Sequence, residues 1–144
     1  MRGILATCRG ERNFRVQSAA AWAALALARL VDLDAVRLAL LVALIGAVLS
    51  AETMNTAVEV LVDRLIPGRD AAAGAAKDLA AGAVLLVALG ALAAAAALFW
   101  PDWLHPLAML AGGWAHRPAS AIAGVVGEVL LVVWACSRSH RPWR

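Results

Sequence analysis

Residues 36–63 have the sequence VRLALLVALIGAVLSAETMNTAVEVLVD, and this stretch decides the fold. Its first part, Val36 to Ala51, is an apolar run. The helical pattern then continues to Ile66, where Pro67-Gly68 ends it. A membrane-spanning helix needs about 20 predominantly apolar residues. The stretch therefore predicts one long helix that crosses a membrane and carries polar side chains along its second half.

Those polar side chains, which we call the acidic stripe, share one face of the helix. The stripe consists of Glu52, Asn55, Glu59 and Asp63. At about 100° per residue, Glu59 and Asp63 each lie about 20° from Glu52, on opposite sides of it. An ionised carboxylate in a span costs roughly 2.5–3.5 kcal/mol on insertion scales. Three of them on one face predict bound cations or hydrogen-bond donors.

The stripe is suited to phosphoryl transfer with magnesium. Mg²⁺ prefers carboxylate oxygens and is commonly shared with substrate phosphates, and a neighbouring free carboxylate can take the proton from an attacking hydroxyl. Lys77, followed by Asp78, comes after the next short loop, on the same side of the membrane, where its ammonium group can meet a phosphate. The sequence has no Gly-x-x-x-x-Gly-Lys-Ser/Thr loop and no set of protein-kinase motifs.

Each of these residues also has a structural explanation. The stripe, Asp63 in particular, can be a wetted cytoplasmic extension of the helix that pairs with arginines. Lys77 can be a snorkelling anchor at a helix end, and Glu11 can form a solvated ion pair in its arginine-rich segment. The residues themselves therefore leave two classes open: a phosphotransferase, and a non-catalytic membrane protein or ion-coupled transporter subunit that uses the acids.

The composition predicts an integral membrane protein. The 144 residues are 63% hydrophobic and the mean hydropathy is +0.78, whereas soluble domains are roughly 45–50% apolar. The formal net charge is +3, and 12 of the 13 basic residues are arginines, most of which lie outside the apolar runs. This distribution indicates membrane orientation and no nucleic-acid binding. Cys8 and Cys136 form neither a disulfide framework nor a metal motif.

Four apolar runs follow a predicted surface helix. Residues 1–14 mix arginines with apolar residues at helical spacing, as in a helix that lies at the membrane surface. The runs are residues 16–31, 36–51, 79–100 and 119–136, with a loop at residues 68–76. The positive-inside rule places the N-terminus, this loop and the C-terminal tail in the cytoplasm. We expect an all-α membrane protein with three transmembrane helices in residues 1–103, and a C-terminal extension, residues 104–144, that adds a fourth transmembrane helix and a basic tail.

Three segments closely resemble the prokaryotic diacylglycerol kinase family, which includes the undecaprenol kinases. Residues 51–63, AETMNTAVEVLVD, are similar to its signature E-x-x-N-[ST]-A-[IV]-E-x-x-V-D. Residues 76–84, AKDLAAGAV, follow at the interval found in the family. Residues 11–15, ERNFR, are similar to the segment before the family's first span. The resemblance covers residues 2–100, and the motifs are closer to those of the undecaprenol kinases.

The resemblance implies an ATP- and Mg²⁺-dependent lipid kinase. It would phosphorylate the hydroxyl of undecaprenol or diacylglycerol, in phospholipid or lipid-carrier metabolism. Glu52 matches the family's general base, which activates the lipid hydroxyl. Glu11 and Glu59 match the acids that hold Mg²⁺ at the ATP site. The family also implies a homotrimer in the bacterial cytoplasmic membrane, with active sites between subunits on the cytoplasmic side.

The resemblance assigns further positions to the same site and shows three differences. Asn55, Lys77 and Asp78 match ATP-site positions, with Lys77 on the phosphates, and Asp63 matches a supporting acid. The family usually has more surface helix before the first residues of this chain. Gln17 stands where the undecaprenol kinases often have histidine. The extension of residues 104–144 has no counterpart in the family's three-span core.

Overall fold

Three α-helices form most of the chain that the structure describes. The structure is a computed structural model, and it describes residues 7–8, 10–68, 70–103, 126–127 and 130. Helix α1 is Arg12–Leu30, helix α2 is Ala35–Leu65 and helix α3 is Ala71–Trp103. These described residues contain no strand. The all-α class is therefore confirmed, and α2 continues without a break through the acidic stripe, as predicted.

Helix α1 ends in a turn that its own backbone closes. The N–H of Leu33 donates to the carbonyl of Ala28 at 3.0 Å, and Asp32 between them has a left-handed φ of 57°. A left-handed residue followed by a hydrogen bond back to the last helical turn is a Schellman motif, and a hydrophobic contact commonly accompanies it. Leu33 and Ala28 are both buried and supply that contact. The turn directs the chain back along α1 into α2.

Asp34 begins helix α2 as its N-cap residue. Its carboxylate accepts hydrogen bonds from the N–H groups of Val36 and Arg37, each at 3.0 Å, which satisfies two donors that lack partners inside the helix. The Arg37 guanidinium donates to the same carboxylate. The backbone N–H of Arg37, and next its guanidinium, hold the pKa of Asp34 below its usual value of 3.8.

Helix α3 begins earlier than the sequence analysis predicts. The predicted loop of residues 68–76 is wrong in its second part, because the helix already begins at Ala71. The Asp70 carboxylate accepts the N–H of Ala73 at 2.8 Å, and residues 71–76 contain five alanines, the residue with the highest helix propensity. The connection from α2 is therefore short, and Gly68 provides its turn with a φ of 134°.

A buried cluster joins the three helices at the end that carries the α1–α2 turn. Its members are Ala28, Leu33, Leu41 and Phe99. Next to the cluster, Arg37 Nη1 donates to the carbonyl oxygen of Leu98 at 3.2 Å and so ties α2 to the C-terminal part of α3. The acidic stripe lies toward the other end of α2, away from this cluster.

Helices α2 and α3 are each long and apolar enough to cross a membrane. Their most apolar windows have mean hydropathies of 2.0 and 2.4, and 11% of each window is buried within the chain. At about 1.5 Å per residue, α2 is about 47 Å long, which exceeds a hydrocarbon core of about 30 Å. One end of α2 therefore projects beyond the hydrocarbon. Helix α1, whose first turns are polar, is not among the two candidate spans found in the described residues, so its crossing stays a prediction.

The structure describes the outer parts of the predicted architecture only in fragments. Thr7, Cys8 and Gly10 are helical, and Glu11 is extended, with φ −107° and ψ 123°, just before α1. In the extension, residues 126, 127 and 130 are helical. The rest of the predicted surface helix and of residues 104–144 lies outside the described residues. The fourth span and the domain boundary after residue 103 therefore stay predictions.

We predict that Asp34→Asn lowers thermal stability at neutral pH. Asparagine keeps a capping oxygen but loses the charge that pairs with Arg37. Because the folded-state pKa of Asp34 is lowered, its ionised form stabilises the fold above its usual pKa of 3.8, and this contribution disappears as the pH falls through the lowered folded value. Melting temperatures of the wild type and the variant in detergent micelles should therefore converge in acid. A difference that does not depend on pH would contradict this account.

Candidate active site

The acidic stripe becomes steadily more exposed along α2 toward the loop. Glu52 is 3% exposed and Asn55 is 9% exposed, Glu59 is half-buried, and the side chain of Asp63 is 67% exposed. We call the part around Glu52 the deep end of the stripe and the part around Asp63 its loop end. The stripe thus extends from the packed interior of the chain to a surface that water reaches.

Helix α1 contributes a carboxamide to the deep end. Gln17 Nε2 donates a hydrogen bond to Glu52 Oε2 at 3.4 Å. Gln17 is three residues after the buried Phe14, so both side chains are on the inner face of α1. Glu59 and Glu11 lie close enough to Glu52 for their negative charges to act on its carboxylate. The structure therefore brings these three predicted acids into one electrostatic neighbourhood.

The middle of the stripe contains a carboxylate beside an unpaired amide oxygen. Asn55 Nδ2 donates to Glu59 Oε1 at 2.9 Å. The other end of the same carboxamide, Asn55 Oδ1, is buried and has no hydrogen-bond partner among the described residues. Buried polar atoms are nearly always paired, so an exception requires an explanation. Carboxylate and amide oxygens are both ligands that a hard divalent cation accepts.

Glu11 and Glu59 are the predicted metal pair, and their role stays a prediction. Within residues 7–8, 10–68 and 70–103, no three His, Cys, Asp or Glu side chains form a metal-binding group. Magnesium is commonly bound by one or two carboxylates together with substrate phosphates and waters. Glu59 and the free oxygen of Asn55 therefore fit a magnesium ion that a phosphate ligand would share, with Glu11 as a further acid.

Helix α3 contributes a lysine to the loop end. Lys77 Nζ forms an ion pair with Asp63. Both side chains line a cavity of about 350 Å³ beside the α2–α3 connection, where Gly68 and Gly74 also border it. Nothing lies within 4 Å of where a Cβ atom of either glycine would be. An exposed ammonium group next to an open cavity is suited to an anionic ligand.

Asp78 is the predicted site residue that the structure does not bring to the stripe. It is exposed and lies about 100° around the helix from Lys77. It has no hydrogen bond or ion pair with another described residue. Within one copy of the chain, α3 therefore connects Lys77 to the stripe and leaves Asp78 apart.

Gln17 is a site residue that the sequence analysis did not assign. The sequence analysis notes it only as a difference from the histidine that the resemblance implies. The signal that identifies it is positional: a carboxamide on the same face of α1 as Phe14, Ala21, Ala24 and Ala28. A polar group on the packed face of an apolar helix requires a polar partner, and that partner is Glu52.

Comparison with known proteins identifies the family of this chain. The sequence profile of the prokaryotic diacylglycerol kinase family matches residues 1–99. The chain belongs to this family. It is similar to the undecaprenol kinase of Bacillus subtilis (strain 168), with 44% identity over 88 residues, which are 61% of this chain and 72% of that protein. It is also similar to the diacylglycerol kinase of Escherichia coli (strain K12), with 31% identity over 99 residues, which are 69% of this chain and 81% of that protein. No solved structure matches the chain.

Membership of the prokaryotic diacylglycerol kinase family makes this chain a lipid kinase. The two relatives carry different names, undecaprenol kinase and diacylglycerol kinase. Family membership therefore does not identify the lipid that accepts the phosphoryl group. Together with the two apolar helices, the family also confirms a membrane protein. A lipid kinase is thus favoured over a transporter subunit or a non-catalytic membrane protein.

We predict that the Asp63–Lys77 pair matters for activity and little for stability. Its side chains are 67% and 35% exposed, and exposed ion pairs contribute about 0–1 kcal/mol. Lys77→Met should therefore leave the melting temperature in micelles nearly unchanged and strongly reduce lipid phosphorylation, while Lys77→Arg, which keeps the charge, retains more of it. Full activity of folded Lys77→Met would exclude a phosphate-binding role.

Proposed function

We propose that the chain transfers the γ-phosphoryl group of ATP to the hydroxyl of a membrane lipid alcohol, with Mg²⁺ as cofactor. The observation that carries this proposal is Glu52, a buried carboxylate on an apolar helix at the end of a row of groups suited to cations and phosphates. Undecaprenol is the acceptor that we favour, because the undecaprenol kinase of Bacillus subtilis shares 44% identity with the chain. Diacylglycerol is the second candidate, from the name of the Escherichia coli relative.

We assign the nucleotide to the loop end of the stripe. Lys77 binds the phosphates as a point charge, and the neighbouring cavity of about 350 Å³ has space for part of the nucleotide. On binding, Lys77 exchanges the Asp63 carboxylate for a phosphate oxygen, so Asp63 supports the site by holding the lysine in place beforehand. Asp78 is retained as an ATP-site residue. Because it is exposed and apart from the stripe, it is suited to act across a subunit contact of the expected homotrimer.

Glu59 and Asn55 are the residues that we assign to magnesium, with Glu11 as a further acid. Asn55 Nδ2 donates to Glu59 Oε1 at 2.9 Å, and the buried oxygen of the same carboxamide has no partner among the described residues. Bound magnesium neutralises charge on the transferred phosphoryl group and helps to orient it. The chain's own contribution is to fix two oxygen ligands in place before the nucleotide arrives.

Glu52 acts as the general base in this proposal. One carboxylate oxygen is held by Gln17, and the other accepts the proton of the lipid hydroxyl. The hydroxyl oxygen bonds to the γ-phosphorus as the bond to the β,γ-bridging oxygen breaks, and ADP leaves. The site faces the cytoplasm of a bacterium, where ATP is available, as the arginine distribution predicts. The product is the lipid phosphate.

We predict that Glu52→Gln abolishes lipid phosphorylation while the protein remains folded. General bases contribute about 10²- to 10⁴-fold to rates, and glutamine keeps the size of the side chain without its basicity. The assay measures radiolabelled phosphate transfer from Mg·ATP to undecaprenol and to diacylglycerol in parallel. Met54→Leu, which changes an exposed residue two positions away, is the matched control. No transfer to either lipid by well-folded wild-type protein would exclude the kinase proposal.

We also predict a magnesium requirement that depends on the middle of the stripe. Glu59→Gln should raise the Mg²⁺ concentration for half-maximal activity by at least about tenfold to a hundredfold, since metal sites lose this much affinity even when a group that only orients a ligand is removed. Mn²⁺ binding in the presence of an unreactive ATP analogue, followed by electron paramagnetic resonance, should weaken in parallel. An unchanged metal dependence in folded Glu59→Gln would remove Glu59 from the metal site.

A further inference from the structure

The carboxamide of Gln17 is engaged at one end only. Its Nε2 donates to Glu52 Oε2 at 3.4 Å. Its Oε1 is buried and has no hydrogen-bond partner among the described residues. A glutamine that only tied α1 to α2 would be expected to satisfy both ends, because buried polar atoms are nearly always paired. The half-used carboxamide therefore indicates a role at the active site and not in helix packing.

Gln17 also lies at a boundary between polar and apolar surroundings. It borders a cavity of about 330 Å³ between α1, α2 and α3, whose other lining side chains are Ala, Leu, Ile or Val, among them Leu41 and Ala88. On its other side is the carboxylate of Glu52. A lipid alcohol has the same division, since its hydroxyl is polar and its chain is apolar. The acceptor hydroxyl therefore belongs at this junction.

A carboxylate on a flexible side chain needs an anchor to act as a base. The terminal torsion of glutamate is broad, and the negative charges of Glu59 and Glu11 act on Glu52 from nearby. A base must come within about 2.6–3.2 Å of the oxygen whose proton it takes, and such bonds tighten when substrate binds. A neutral N–H donor fixes one oxygen of the carboxylate without cancelling its charge.

We propose that Gln17 is a positioning residue for the transfer: its N–H holds one oxygen of Glu52 so that the other faces the lipid hydroxyl. The inference rests on the proposed function, because it needs Glu52 to be the base. It adds a residue of α1 to the catalytic arrangement. It also gives a physical reason for the residue type, since an apolar side chain lacks the donor and an acid would repel Glu52.

The test compares four variants in the full-length protein in micelles: Gln17→Leu, Gln17→Asn, Gln17→His and Ser18→Ala. Leucine removes the donor, asparagine withdraws it by one methylene group, and histidine restores a ring N–H. Ser18, whose hydroxyl donates to the carbonyl of Phe14 in its own helix at 2.8 Å, is the matched control. The measurements are kcat, the KM values for ATP and for the lipid, and the melting temperature.

We expect Gln17→Leu and Gln17→Asn to lower kcat by about tenfold to a hundredfold, the effect of misplacing a reacting group. The KM for ATP should stay nearly unchanged, and Gln17→His should recover most of the loss. If Gln17→Leu does not fold, the kcat values of Gln17→Asn and Gln17→His are compared instead, and a lower kcat for Gln17→Asn supports the positioning role. Unchanged kcat in these variants, or losses that follow only the melting temperature, would overturn the proposal.

The proposed function can fail separately from this inference. If wild-type protein transfers no phosphate to a lipid, or if Glu52→Gln is as active as the wild type, Glu52 is not the base and the inference fails with it. If Glu52→Gln is inactive and the Gln17 variants behave like Ser18→Ala, the kinase proposal stands and the role of Gln17 is refuted.

Discussion

The rest of the structure depends on the placement of a carboxylate on an apolar membrane helix. Glu52 is almost completely buried on α2, where an unpaired charge is strongly unfavourable. Among the described residues, a neutral N–H donor from α1 contacts one oxygen of this carboxylate, which leaves the other oxygen available to accept a proton. A cation in the same place would leave a weaker base, because a nearby opposite charge favours the ionised carboxylate. The arrangement therefore suits a general base, although burial of the carboxylate is unfavourable for folding.

One end of the three-helix assembly packs the helices together, and the other end carries the candidate active site. At one end the buried cluster, the closed α1–α2 turn and the Asp34 cap hold the three helices together. At the other end, α1 and α3 each contribute one polar side chain to the stripe, Gln17 and Lys77. Stability and function are therefore separated along the length of α2. This separation explains how a small chain with little buried surface tolerates unpaired polar atoms at its site.

The sequence predicted the parts of this account that depend on one helix. The 3.6-residue period placed the stripe on one face of α2, and the structure confirms a continuous helix there. The predicted loop extends too far into α3, which begins at Ala71, because the capping Asp70 and the alanines after it favour a helix. The contact between Gln17 and Glu52 joins residues 35 positions apart. Such a contact depends on how α1 packs on α2, and no local pattern encodes that.

The central claim is that the stripe is one site for a metal-bound nucleotide. Nuclear magnetic resonance of isotope-labelled protein in micelles tests it directly, with Mn²⁺ and an unreactive ATP analogue as paramagnetic probe. The account predicts signal broadening that is strongest at Asn55 and Glu59, extends to Glu52 and Lys77, and is absent at Leu33 and Phe99. Broadening centred on the Leu33–Phe99 end, or none along the stripe with the analogue bound, would contradict it.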